Sequence, residues 1–485
     1  MALSKESKHF LIGLLIFILM CFIPVGNGLT QTGVYTFALL ITTIYLWLCV
    51  DLGWTSVLAL VAMCLIGSIG GPAAVFAGSI GQNTCIFATY IIIINHAMAD
   101  KGVTEKIAYW FLTRKIAKDR PWMFITMFFM SAWVIGLLMD QTALMIVYLT
   151  FIDSITKAVG SEKGESFGKV LTMGSLACIC AGYFGTPFAH AVPIVMIGMI
   201  KTLTGMDVSM LRYVMLGIPF TFLFMICVVL VSRFLIKPDV SKLKNYDAEK
   251  ARAALPPLSK EAKAITFSFI FCIVSWLFPD IFKSFFPNAS AYVKSMMSAV
   301  PTMLAVTALC VISVDKVKKT PILNLGKSLS KVPWTVITFM GTITAFSTCI
   351  TSENTGINLF LSYLFAPIAK GLPPMGLVMI GLAGTLILTN FISNVVSQTI
   401  FYALLCPIFL SNPQFGVSAV AYGVMLTFMA NTAICTPPAT GPTPYVYSSG
   451  YVTTKDGLTY GGPLVLCSYI LALIAWPFAN MLFPM

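Results

Sequence analysis

The stretch GLLMDQTALMIVYL, residues 136–149, decides how this chain folds. It sits in the middle of 121–159, an apolar run too long for one simple membrane-crossing helix, which needs about 20 residues. Its flanks, 121–138 and 143–158, are each short for a full crossing. At the centre stand a carboxylate, an amide and a hydroxyl: Asp140, Gln141 and Thr142. Such groups are costly in hydrocarbon. Backbone that leaves the helix at membrane depth is tolerated only inside protein or along a water-filled cavity. The pattern predicts a re-entrant hairpin with Asp140, Gln141 and Thr142 at its tip, turned away from lipid.

The composition agrees. Of 485 residues, 58% are hydrophobic and 10% charged, against about 25% charged in a soluble domain. The mean hydropathy is +0.90. The apolar runs are continuous rather than alternating, which selects helices over a barrel of strands. The expected class is therefore an all-α polytopic membrane protein. Lys5 and Lys8 precede the first run, but it is long and lacks a small-residue cleavage site, so it reads as a retained helix. The 13 cysteines fall mostly in apolar spans and read as small core residues; no Cys/His set has metal-site spacing. The net charge of +12 is concentrated in two loops, 237–263 and 316–331. This is the excess carried by cytoplasmic loops, not a nucleic-acid surface. With the N-terminus inside, only Lys201, Arg212, Lys283, Lys294 and Lys370 of the 30 basic residues fall outside.

The chain repeats its own order. After an N-terminal helix (1–33), residues 34–236 give spans at 34–52, 54–75 and 84–100 and an interfacial piece at 100–120. The hairpin (121–159), a helix (167–200) broken at GYFGTPFAHAVP, and a closing span at 213–236 follow. A charged cytoplasmic loop (237–263) separates this from 264–485. There spans at 264–282, 294–314 and 332–351 precede an interfacial piece at 351–370. A second hairpin (372–411) is centred on TNFISNVVSQT, a helix (416–450) breaks at NTAICTPPATGPTPYVYSSG, and a final span runs 461–483. An odd number of crossings separates the halves, so the repeats are inverted. Inverted repeats with broken helices characterise secondary transporters. The expected architecture is about 11 transmembrane helices plus two re-entrant hairpins.

The tips and breaks carry the candidate chemistry. Helix N-termini carry partial positive charge and suit anions, while carbonyls and side-chain oxygens suit Na⁺. All Lys and Arg can be placed in loops or at span ends, so a bound anion needs helix dipoles, hydroxyls, amides and co-transported cations. The candidate substrate contacts are Gln141, Thr142, Ser393, Asn394, Thr436 and Pro437. The candidate cation-binding or coupling positions are Asp140, Gly185, Thr186, Ser397, Asn431, Thr432 and His190. Asp140 has several readings: cation ligand, proton carrier, partner of His190, or simple helix cap. His96 reads as a hydrogen-bonded core residue.

At these motifs the chain resembles the divalent anion/sodium symporter family of dicarboxylate, citrate and sulfate carriers. That family carries Ser-Asn-Thr at each hairpin tip. Ser393, Asn394 and Val395 match the second tip in two of three positions. TPPATGPTPYVYSSGYV (436–452) resembles the second break, FGTP (184–187) the first, and IIIINHAMADKGVTEKIA (91–108) the segment before the first hairpin. The first tip departs, reading Asp-Gln-Thr. The resemblance implies a homodimer, a scaffold with a mobile elevator-type transport unit, substrate between the tips, and Na⁺ beside each tip and break. The expected function is import of a small organic anion, a di- or tricarboxylate, by Na⁺ symport across the plasma (inner) membrane. The alternative is H⁺-coupled or exchange transport of another anion, a monocarboxylate or sulfate, using Asp140. No other cofactor and no nucleic-acid partner are expected, and the only other partner is membrane lipid. No nucleophile–base pair or phosphate-binding loop suggests an enzyme.

Overall fold

The structure is a computed structural model that describes residues 4–117, 120–139, 141–241, 243, 253, 257–313, 320–357, 359–360, 363 and 371–483. Asp140, singled out by the sequence, lies outside the described residues, as does much of the charged loop at 237–263.

The first half begins with α1 (Lys5–Met20), α2 (Gln31–Cys49), α3 (Trp54–Ile66), the short α4 (Pro72–Ala77), α5 (Asn83–Asp100) and α6 (Val103–Leu112). It continues with α7 (Pro121–Gly136), α8 (Gln141–Val159), α9 (Ser166–Gly185), α10 (Ala191–Thr204) and α11 (Met210–Leu230), the last extended by a π-turn to Ile236. The second half has α12 (Lys260–Phe282), α13 (Pro287–Ser295), α14 (Ala299–Val311), α15 (Leu325–Leu329) and α16 (Trp334–Thr351). Then come α17 (Pro374–Leu388), α18 (Asn394–Ser411), α19 (Ala419–Asn431), α20 (Thr443–Ser448) and α21 (Thr454–Leu482). Among the described residues the only β pairing is a bridge between Gly26 and Leu29. Among the described residues six helices are long and apolar enough to cross a membrane, and the pair α13–α14, bent by 77°, makes up to seven if it is one span. The protein is an all-helical, multi-pass membrane protein.

Local chemistry sets the helix ends, and in several places it moves them from where hydropathy alone puts them. The first helix, expected within 1–33, ends at Met20, because Pro24, Gly26 and Gly28 follow it, and Asn27 adopts a positive φ of 52°. The loop instead docks on the second half, where the Thr30 hydroxyl donates to the Asn354 carbonyl at 2.6 Å. The span expected at 54–75 stops at Ile66, capped by Gly67 with φ of 73°. The span expected at 294–314 is the bent pair α13–α14. The last helix starts at Thr454, seven residues before the apolar run, because Thr453 and Asp456 form a capping box. Pro121 and Pro374 open the hairpin helices α7 and α17, where a missing N–H costs nothing.

Helix α9 is the axis of the packing: 94% of its apolar window is buried, against 22% for α12 and 28% for α21. It has room for its neighbours because of glycine. A Cβ on Gly182 would meet the Trp133 carbonyl oxygen of α7 at 2.2 Å, and one on Gly217 of α11 would meet the Gly185 carbonyl oxygen at 2.3 Å. Small residues permit such close helix approach in membranes. Helix α10 lies between α16 and α5 on one side and α18 and α19 on the other. There Gly198 faces Thr84 and Thr344.

The halves are also stitched together at the far end of the first hairpin. The Tyr451 hydroxyl donates to Asp153 at 2.6 Å and lies 2.8 Å from the Thr156 hydroxyl, both on α8. Lys163 donates to the Ser449 carbonyl at 2.7 Å, and Lys169 of α9 pairs with Asp456 of α21 at 2.8 Å.

Replacing Gly217 with Val should cost about 1–3 kcal/mol through overpacking and lower the thermal midpoint of the detergent-purified protein. Gly462→Ala, where a Cβ meets nothing within 4 Å, should leave it unchanged. Equal midpoints for both variants would contradict this account of the α9–α11 contact.

Candidate functional site

Each hairpin turns within four or five residues, and the two turns use the same backbone bonds. In the first, the N–H groups of Leu138 and Met139 donate to the Ile135 carbonyl at 2.9 and 3.0 Å. In the second, those of Phe391 and Ile392 donate to the Leu388 carbonyl at 3.0 and 3.1 Å. Each turn is then held by the threonine of the neighbouring break. Thr186 donates its hydroxyl to the Leu137 carbonyl at 2.7 Å, and Thr436 donates to the Asn390 carbonyl. Leu137 stands five residues before Thr142, and Asn390 five before Val395, so the two locks occupy equivalent positions. A carbonyl at the end of a helix has no intrahelical partner; these hydroxyls supply one.

Asn390 adds a bond that the first tip lacks. Its Oδ1 accepts from the N–H groups of Ile434 and Cys435 at 3.1 and 3.0 Å, and its Nδ2 donates to the Leu386 carbonyl at 2.9 Å. The amide side chain thus replaces the helical bonds that α19 loses when it ends at Asn431.

The side chains of the two tips converge on one hydroxyl. Gln141 donates from Nε2 to Thr440 Oγ1 at 2.8 Å, and Asn394 donates from Nδ2 to the same oxygen at 3.4 Å. Gln141 is fixed at its other atom by the Cys180 thiol, 3.4 Å from Oε1. Asn394 Oδ1 accepts from the Thr389 hydroxyl at 3.0 Å. Both amides are buried, at 4% and 6% exposure. Gly441 completes the junction, since a Cβ there would meet the Thr142 hydroxyl at 2.6 Å.

A cavity of about 780 Å³ lies against this junction. Gln141, Thr142, Ser393 and Asn394 line it, as the sequence suggests, and so does His190, which stacks on Tyr183 with ring centroids 3.6 Å apart. Other predicted residues lie elsewhere. Thr436 and Pro437 are not in the wall; Pro438, Ala439, Thr440 and Gly441 take that place. Gly185 is buried between Leu137 and Thr221. Ser397 is fully buried and bonds back to the Ser393 and Asn394 carbonyls. Thr432 bonds Ser468 of α21 at 2.9 Å. Asn431 donates to the Thr427 carbonyl, while its Oδ1 is buried without a partner.

The opposite wall comes from α5 and α16 and the turn before α3, through Leu52, Asn95, His96, Lys331 and Phe339 among others. His96, expected in the core, is part-exposed and faces the cavity. No cysteine is exposed, and among the described residues no group of three or more His, Cys, Asp or Glu is placed to hold a metal. Sequence reading missed Thr440, Asn390 and Asn95.

A helical membrane protein whose largely apolar cavity meets polar groups at two hairpin tips and two helix breaks has the build of a transporter. The chain belongs to the family described as the sodium:sulfate symporter transmembrane region, which matches residues 4–484. It is 27% identical over 222 residues to Solute carrier family 13 member 2 of Mus musculus, covering 42% of this chain and 36% of that protein. It is 24% identical over 332 residues to the L-tartrate/succinate antiporter of Escherichia coli strain K12, covering 66% and 60%. The match therefore spans less than two thirds of either relative. Its fold is similar to the YdaH transporter of Alcanivorax borkumensis (TM-score 0.55, 13% identity, 85% and 88% covered) and to MtrF of Neisseria gonorrhoeae (TM-score 0.54, 14%, 85% and 84%). The family and these relatives are transporters rather than enzymes.

Thr186→Val and Thr436→Val each remove a buried hydroxyl bond and leave a carbonyl short of a partner, at about 1–3 kcal/mol. The thermal midpoint should fall in both, with faster hydrogen exchange confined to the tip facing the changed residue. Unaltered exchange at both tips would refute the locking role.

Proposed function

We propose that the protein is a secondary active transporter that carries a small organic anion, a di- or tricarboxylate, with Na⁺ symport. One observation carries the reading: two buried amides, Gln141 and Asn394, both donate to Thr440 Oγ1. A hydroxyl that accepts two such bonds is a strengthened donor, and among the described residues no acceptor engages its own proton. Thr440 and Ser393 line the cavity beside the N-termini of α8 and α18, and together they offer a set of neutral donors. They suit carboxylate oxygens. The name of the L-tartrate/succinate antiporter supports this cargo class.

A neutral site binds a dianion weakly unless cations accompany it. Na⁺ is best accommodated by oxygen atoms beside the tips: the carbonyls of Leu137 and Asn390, and the unpartnered Oδ1 of Asn431. Asp140 adds a carboxylate to the first tip that can join such a site. A second reading, exchange or H⁺ coupling through Asp140 with another anion such as sulfate or a monocarboxylate, is favoured by the E. coli relative being named an antiporter.

We propose, from the excess of Lys and Arg in the loops, that the N-terminus is cytoplasmic and the cavity opens inward, and that the membrane is the plasma (inner) membrane. We propose that α7–α11 and α17–α21 form an elevator unit, related by inverted repeat, that slides on α2–α6 and α12–α16 along the Gly198–Thr344 contact. The functional unit proposed is a homodimer.

Reconstituted protein should take up labelled succinate, malate or citrate when an inward Na⁺ gradient is imposed. Thr440→Val should lower the specificity for the anion by about 10–100-fold, the worth of a hydrogen bond to a charged group, with Thr440→Ser close to wild type. Uptake of no anion under Na⁺, H⁺ or counter-anion gradients would overturn the assignment. Uptake driven only by H⁺ or counter-anion, and altered in pH dependence by Asp140→Asn, would establish the second reading.

A further inference from the structure

The cavity has a charged lip. Lys331, just before α16, is the only Lys, Arg, Asp or Glu among the described residues that line it. It stands on the wall opposite the tips. Its Nζ lies 2.5 Å from Oδ2 of Asp100, the last residue of α5. Both side chains are more than half exposed, at 53% and 56%.

The neighbouring residue shows a contrast. Lys101 pairs with Glu261 of α12, and neither lines the cavity. That pair ties the end of α5 to the start of α12. In the Asp100–Lys331 pair, by contrast, the lysine lines the cavity while Asp100 stands beside it. An ion pair exposed to this degree contributes little net stability, so a second carboxylate can take Asp100's place at small cost. Whenever Asp100 lets go, the ammonium group is left as an uncompensated cation in a cleft with low-dielectric walls, which focuses the field and attracts anions.

We propose that Lys331 is a docking site for the anionic cargo, distinct from the tips, and that Asp100 sets its strength. The anion exchanges with Asp100 on the lysine and then passes to the neutral donors of the tips. This rests on the reading of the cargo as an anion. Lys331 acts at the inward-opening mouth, at release during import and at capture when transport runs outward or by exchange; placed on the opposite wall, it need not accompany the cargo. Its positive charge speeds capture without deepening the final site. Asp100 competes for the same ammonium group and so keeps the docked anion from being trapped.

The charge roles give opposite signs, which a structural ion pair cannot. Initial rates of succinate transport in proteoliposomes, with succinate presented on the cavity-opening side and Na⁺ held constant, provide the test. Lys331→Gln should raise the half-saturating concentration about 3–10-fold with the maximal rate little changed. The increase should shrink at high ionic strength, set with choline chloride. Lys331→Arg should behave as wild type. Asp100→Asn should lower the half-saturating concentration, and the double variant should follow Lys331→Gln. If Asp100→Asn weakens transport as Lys331→Gln does, or the double variant returns to wild type, the pair is structural and the docking proposal falls. If the wild-type protein transports no anion at all, the cargo assignment falls and the docking role falls with it. A wild type that works beside charge variants that do not differ overturns docking alone.

Discussion

The structure depends on finding partners for backbone groups where no water and no helix can supply them. A hairpin that turns inside a membrane protein leaves carbonyls at the end of its first arm, and a helix that breaks there leaves more. The two threonine locks, Thr186 on Leu137 and Thr436 on Asn390, solve both problems with one bond each. They also fix where each tip stands relative to each break. Everything at the cavity floor is positioned from those two bonds, because Gln141 and Asn394 each follow the locked carbonyl by four residues.

The second tip is better tied than the first. Asn390 serves the broken end of α19 with its side chain as well as its backbone, whereas its counterpart Leu137 can offer only a carbonyl. The first tip compensates through Gln141, held between Cys180 and Thr440. The longer amide of Gln141 reaches the same hydroxyl that Asn394 approaches from the other side. A shared acceptor makes the two tips one unit, and an acceptor carrying two amide bonds is a polarised donor in its own right.

Much of this was legible in the chain. Long apolar runs interrupted by polar triplets and by Thr-Pro stand out against continuous hydropathy, and the interruptions are where the turns and breaks fall. Helix ends were less legible, because caps outweigh hydropathy: Gly67 stops α3 early, and Thr453 with Asp456 starts α21 early. Within the second break, sequence singled out Thr436 and Pro437, but the cavity wall is formed a few residues on, at Thr440. Irregular backbone has no period, so nothing in the pattern says which of several hydroxyls points inward. His96 was hidden for the opposite reason. It sits on a regular helix whose apolar neighbours suggest a core, and only the assembled fold shows that this face of α5 meets a cavity. Lys331 was correctly a span-end lysine, yet its reach into the opening depends on how α16 is set beside α5.

The stitching of the two halves bears on how the protein is made. Gln141 and Thr440 are 299 residues apart in the chain, and Asp153 and Tyr451 are 298 apart. The first hairpin therefore leaves the ribosome long before the residues that satisfy its tip and brace its arm. Until the last third of the chain is inserted, that hairpin must wait in the bilayer or beside the insertion machinery with its polar tip unmatched. Such long-range contacts are slow to form and leave an intermediate open to mispairing. The junction of the two tips is thus the final product of biogenesis, and a chain truncated before the second break lacks the counterpart on which its first hairpin depends.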